Sequence, residues 1–138
     1  MRRLFSLFII FVFAVAAIDG LTQGTAKVYL KHAKRGQATY FTPERDACSK
    51  DGETSSESSL IAALSPEDFN GGKGRTDESP MCGRCLKVFT KLGSVVVKVR
   101  DLCATCSSGD IDLTPTAFKR IAPLHIGRIN VKWEETDC

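Results

Sequence analysis

The chain is poor in the signals that announce a function. It has no internal repeat, no heptad pattern, no glycine-rich phosphate loop and no Asn-x-Ser/Thr sequon. Solenoid, coiled-coil and phosphate-loop architectures are thereby set aside. Charge of one sign is also missing. The formal charge is +3, and discounting Arg2 and Arg3 leaves 17 basic against 16 acidic residues. That balance offers no footprint for nucleic acid or an anionic membrane surface. Only two histidines occur, His32 and His125. Past the N-terminus no apolar run is long enough to span a bilayer.

What is present begins at the N-terminus. Met1-Arg2-Arg3 is a short basic segment, Leu4 to Ala17 is almost wholly apolar, and Ala14-Val15-Ala16-Ala17 offers small residues before the polar Asp19-Gly20. This pattern predicts a signal peptide over 1–17 and a secreted, extracellular or wall-associated protein, with no membrane attachment after cleavage. About 120 residues then remain, enough for one domain. Residues 18–35 read as an exposed tail or, because Lys34-Arg35 is dibasic, a short propeptide. The folded domain is expected over 36–138.

Six cysteines follow: Cys48, Cys82, Cys85, Cys103, Cys106 and Cys138. Four of them form Cys-x-x-Cys pairs with 17 residues between, which out of context is zinc-ribbon spacing. In an oxidising compartment an even count reads instead as three disulfides, with no metal and no cofactor. If Cys82 and Cys85 flank a strand, their Cα atoms stand roughly 10 Å apart, beyond the roughly 7 Å a disulfide tolerates. They should therefore serve different partners, which removes only some of the roughly 15 possible pairings. Cys103 and Cys106 lie in a tight loop where a local bridge is feasible. A thioredoxin-like redox role lacks its βαβ context.

The folded part reads as mainly β. Ala38–Thr42 is a strand closed by Pro43, and residues 49–59 form a polar loop. Leu60–Leu64 is an apolar run. Ser65-Pro66-Glu67-Asp68 is a helix start, with serine at the N-cap, proline at N1 and acids in the first turn; Asn70-Gly71-Gly72 ends it. Leu86–Thr90 and Ser94–Arg100 read as a hairpin in which Val95, Val97 and Val99 form the apolar face. Ile111–Leu113 is a short strand. Thr114-Pro115 opens a helix to about Ala122 with Ala117, Phe118, Ile121 and Ala122 inward, and Arg128–Trp133 is the last strand. Short strands with two short helices point to a small barrel.

From Gly36 to Cys138 the chain resembles the double-psi β-barrels of the barwin, plant natriuretic peptide, kiwellin and expansin-domain group. The resemblance is carried by Gly36-Gln37-Ala38-Thr39-Tyr40-Phe41, Ala63-Leu64-Ser65-Pro66, Cys82-Gly83-Arg84-Cys85, Val97-Lys98-Val99-Arg100-Asp101-Leu102-Cys103, Asp110-Ile111-Asp112-Leu113-Thr114-Pro115 and Gly127-Arg128-Ile129-Asn130-Val131-Lys132-Trp133. It implies a disulfide-stapled, six-stranded double-psi barrel with two short helices. It implies Cys48–Cys82 and Cys85–Cys138, leaving Cys103 to Cys106. It also implies an open groove for an extended polymer, lined by Asp101, Asp112, Thr39, Tyr40 and Phe41, whose rings can stack on sugars.

The same resemblance bears on catalysis. Related family 45 endoglucanases use two carboxylates; their acid is similar in position to Asp112, but where their base lies this chain has Phe41-Thr42. Asp101 could substitute, as in rare-lipoprotein-A-type lytic transglycosylases, yet neither His32 nor His125 matches the histidine those carry. No catalytic residue is therefore assigned beyond Asp112 and Asp101 as candidates. The resulting expectation is a monomeric, secreted, non-catalytic module that binds wall polysaccharide (chitin, cellulose or β-glucan). Its alternatives are a ligand of an extracellular protein, such as a cysteine-protease inhibitor, and a weak glycoside hydrolase or lytic transglycosylase.

Overall fold

Alternation of apolar and polar side chains along six short segments closes a sheet on itself. A computed structural model describes residues 33–49, 54–71 and 76–138. The expected signal peptide over 1–17 and most of the 18–35 tail lie outside the described residues, as do 50–53 and 72–75 of the two polar loops. The strands are β1 (Lys34–Tyr40), β2 (Ile61–Leu64), β3 (Cys85–Phe89), β4 (Ser94–Leu102), β5 (Ile111–Leu113) and β6 (Ile129–Thr136). They close in the order β1-β5-β2-β4-β3-β6. Pairs β1–β5 and β2–β4 are parallel and the rest are antiparallel. The protein is thus a mainly β, six-stranded double-psi barrel.

The interior follows from the period of two. Ala38, Leu86, Val88, Val95, Val97, Val99, Ile111, Leu113, Val131 and Trp133 point inward and are buried. Fully burying a residue such as Leu or Phe contributes about 1.5–3 kcal/mol. Two helical turns add Phe69 and Phe118, both fully buried. The first, α1 (Pro66–Asn70), starts as expected: the Ser65 hydroxyl accepts from the Asp68 amide, and Gly71 ends it in the left-handed region at φ 66°.

Several boundaries differ from the sequence reading, each for a local reason. Strand β1 begins at Lys34, before the expected domain boundary, because Lys34 pairs with Trp133 and Arg35 with Lys132 of β6, whose extension to Thr136 pairs with β3. The dibasic pair therefore sits inside a strand. The second helix, α2, spans only Pro115–Phe118. The Arg120 and Ile121 amides reach carbonyls three residues back, so the chain tightens into turns before Pro123. Ala117, Phe118, Ile121 and Ala122 are nonetheless all buried. Thr114 holds the N-cap position, but its hydroxyl bonds the Ser59 carbonyl instead of the helix.

Disulfides join Cys48–Cys82, Cys85–Cys138 and Cys103–Cys106, and none of the six thiols is free. A zinc ribbon has no thiolate left to build it. One more staple is not covalent. Asp68 on α1 accepts from Lys34 of β1, from Ser65 and from Ser108 and Gly109 of the 107–110 loop. Gly109 also offers its carbonyl to the Trp133 indole at 2.8 Å. β1 crosses this loop so closely that a Cβ at Gly36 would collide with the Gly109 carbonyl, and Gly109 itself sits at φ +89°.

Candidate functional site

The site is a single row across four neighbouring strands. Thr39 of β1 is in register with Asp112 of β5, Asp112 with Ala63 of β2, and Ala63 with Asp101 of β4. At about 4.8 Å per strand step, the Cα atoms of Asp101 and Asp112 stand about 10 Å apart. Asp112 lies between the inward Ile111 and Leu113, so it faces outward. Strict alternation from Val95, Val97 and Val99 would send Asp101 into the core. The β2–β4 register shifts by one between Ala62 and Ala63, and this bulge turns Asp101 out to the face of Asp112. Between them Ala63 carries only a methyl and is itself buried.

The two carboxylates are held differently. Asp112 accepts from the Thr39 hydroxyl at 2.8 Å. Asp101 uses one oxygen, Oδ1, for both the Ala47 amide at 2.9 Å and the Leu102 amide at 2.8 Å. Burial is the largest influence on each and pushes both carboxyls above the usual range. Thr39, the Leu113 amide and the charge of Arg128 pull Asp112 back in part, and the charge of Asp101 pushes it up slightly. For Asp101 the two amides pull down, and the charge of Asp46 pushes up. Each therefore gives up its proton at a higher pH than a free aspartate does.

The aromatic candidates are placed less uniformly. Tyr40 ends β1 and is 39% exposed, with its ring 5.2 Å from that of Phe118 at an angle of 58°. It therefore packs with one side while offering another. Phe41 is half-buried just beyond the strand, and its amide bonds the Leu113 carbonyl at 2.9 Å. Thr39, Asp112 and Asp101 come together in the row; Tyr40 and Phe41 stand at its β1 end.

Three contributors were given no place at the site by the sequence alone. Ala63 lay in what reads as a plain apolar run. Asp46 is fully buried, with Oδ2 bonded to Arg100 at 3.2 Å and to Ser55, while its Oδ1 has no partner. It anchors the segment whose Ala47 amide holds Asp101. Glu57, within a Ser/Glu-rich stretch, accepts from the Thr42 hydroxyl at 2.7 Å, which brings a carboxylate to the end of β1. None of these carries a local signature, because each is assembled by contacts tens of residues apart or by register. Among the described residues no cluster of three or more His, Cys, Asp or Glu could hold a metal ion.

Known proteins share this architecture. Over 73 residues the chain is 36% identical to an expansin of Bacillus subtilis, an alignment covering 53% of this chain and 30% of that protein. A papain inhibitor of Streptomyces mobaraensis is 29% identical over 127 residues, covering 87% of this chain and 86% of the inhibitor. The solved Streptomyces papain inhibitor superimposes with a TM-score of 0.67 at 27% identity, over 77% of this chain and 96% of that one. The solved expansin of Clavibacter michiganensis shares the fold, with a TM-score of 0.63 at 23% identity over 76% of this chain and 50% of that one. The chain thus spans a third to a half of the expansins it matches and nearly all of the inhibitor. A family model described as lytic transglycolase matches residues 22–133, and the chain belongs to that double-psi β-barrel family.

Proposed function

We propose that this is a secreted expansin-like module that binds a neutral wall polysaccharide along the Thr39–Asp112–Ala63–Asp101 row without cleaving it. The observation that carries this reading is the row itself: two outward carboxylates, both pushed above the usual range by burial, stand either side of the small Ala63. Sugar hydroxyls supply the donors that the protein withholds. Tyr40 offers a partly exposed ring for an apolar sugar face. The likeness to the Bacillus expansin supports the same reading. Binding without cleavage is supported at Thr42, which stands where the related endoglucanases keep their base and cannot act as one.

Depletion of the purified protein from solution over insoluble cellulose, chitin and β-glucan tests it. Saturable retention on one polymer, lost in Asp101→Ala and in Asp112→Ala, is the expected outcome. Retention unchanged by either substitution would sink the assignment to this row. Release of reducing ends during the same incubation, abolished by Asp112→Asn or Glu57→Gln, would overturn the non-catalytic part.

A second reading has its own support. The match to the papain inhibitor runs almost end to end, so inhibition of a papain-type protease is the competing function. Titrating papain activity with the purified protein decides it: stoichiometric inhibition that survives Asp112→Ala would move the function from the row to another surface.

A further inference from the structure

A second outward surface has the chemistry of a ligand site and no assigned role. Outward residues of β1 continue from Thr39 back through Gln37 to Arg35. Arg35 is in register with Lys132 of β6, which is in register with Phe89 of β3, and Gln37 pairs with Asn130. Together with Lys91, just past β3, these residues line an open hollow of about 620 Å³. Its lining holds three cations, Arg35, Lys91 and Lys132, and no carboxylate. None of the three forms an ion pair among the described residues. The next outward acid on β6, Glu134, stands opposite Lys87 and outside the hollow.

Three uncompensated cations around one concavity repel one another, and an anion relieves that cost. We infer that this hollow is a binding site for a uronate-bearing, acidic polysaccharide, separate from the carboxylate row. Arg35 and Lys132 take sugar carboxylates, with the guanidinium able to do so in bidentate fashion. Gln37 and Asn130 supply amides for hydroxyls: the Gln37 carbonyl is held by Arg128 at 2.9 Å, and its NH₂ reaches Asn130 at 3.5 Å. Half-buried Phe89 gives the hollow an apolar wall for a sugar face. An acidic peptide would satisfy the cations and leave the amide pair and the ring without a repeating partner, which is why a sugar polymer is chosen. The inference does not rest on the row: the hollow binds even if the row binds nothing.

Titration of the purified protein with a de-esterified galacturonic-acid oligomer, followed by amide NMR, tests this. A neutral β-glucan oligomer and a poly-glutamate peptide serve as comparisons. The expected result is saturable binding of the uronate oligomer, weakening as salt rises, with shifts centred on Gln37, Phe89 and Asn130. Arg35→Gln/Lys132→Gln should weaken it about tenfold, and Asp112→Asn should leave it unchanged. Lys91→Gln, in an exposed turn, gives a milder loss of about two- to fourfold and keeps the test alive if the double variant folds poorly. No binding of the uronate oligomer, equal or tighter binding of poly-glutamate, or binding that survives both charge variants would overturn the proposal.

Discussion

Asp68 and Asp112 are both aspartates in the shell of the same barrel, and their surroundings treat them in opposite ways. Burial pushes both carboxyls up. Around Asp68 the Lys34 ammonium, the Gly109 amide and the Ser65 hydroxyl more than offset that, so its carboxyl sits below the usual range. Around Asp112 the Thr39 hydroxyl, the Leu113 amide and the more distant Arg128 do not, so its carboxyl sits above. Asp101 goes the same way as Asp112. A carboxylate with enough donors is a staple; one with too few is a cost to the fold and an opening for a ligand.

The largest effect expected from this contrast is at the staple. Asp68→Ala keeps the N-cap bond of its amide to Ser65 but removes the carboxylate that accepts from the Ser65 hydroxyl and anchors Lys34 and Gly109. Its loss should cost about 2–3 kcal/mol, a drop in Tm of about 10–20 °C by thermal melting. An unchanged Tm would mean the contacts around Asp68 are incidental. Next comes Gly36→Ala, whose Cβ must displace the 107–110 loop; about 1–3 kcal/mol is expected, read as a lower urea midpoint.

A smaller change of opposite sign is expected at the row. Asp112→Asn should raise Tm by a few degrees at neutral pH while abolishing retention on polysaccharide. For the raised pair, the unfolded chain ionises first as pH climbs, so Asp101 and Asp112 lower stability from just above the ordinary aspartate range and do so fully above their folded pKa values. Their cost disappears on acidification. Asp68 behaves inversely: its contribution is present above the unfolded pKa and is lost as pH falls through the lower, folded one. Melting Asp112→Asn and the native protein from neutral to about pH 3 should show the two curves converging. A gap that widens in acid would contradict the direction assigned to Asp112.

The smallest effect concerns the Cys103–Cys106 disulfide. Chain-entropy reasoning assigns about 4 kcal/mol to each of Cys48–Cys82 and Cys85–Cys138, which close 34 and 53 residues, and under 2 kcal/mol to Cys103–Cys106, which closes 3. Cys103→Ser/Cys106→Ser should therefore melt only modestly earlier than the native protein. A collapse as large as that of Cys85→Ala/Cys138→Ala would show that this bridge, directly after Asp101 and Leu102, shapes the row as well.

Much of this was legible in the chain. Val95, Val97 and Val99 announce a half-wet strand, and Ser65-Pro66 announces the start of α1, because both depend on neighbours a few residues away. The quoted segments carried the barrel through resemblance, which no single strand could have done. What depends on register stayed hidden. The one-residue slip at Ala62/Ala63 decides which way Asp101 faces, and alternation alone gives the wrong face. The start of β1 at Lys34 depends on its register with β6, in which Lys34 meets Trp133. The burial of Asp46 and the approach of Glu57 to Thr42 come from a polar loop folding back, which composition reads only as surface.

The contrast between staple and row is open to direct measurement by carboxyl carbon NMR, following Asp68, Asp101 and Asp112 through an acid titration with and without a soluble oligomer of the polysaccharide that retains the protein. Asp101 and Asp112 should titrate above the range of a free aspartate and Asp68 below it, and the oligomer should move the first two and leave Asp68 in place. Asp112 titrating at or below Asp68, or an oligomer that moves neither row carboxyl, would contradict the assignment of the row as the binding site.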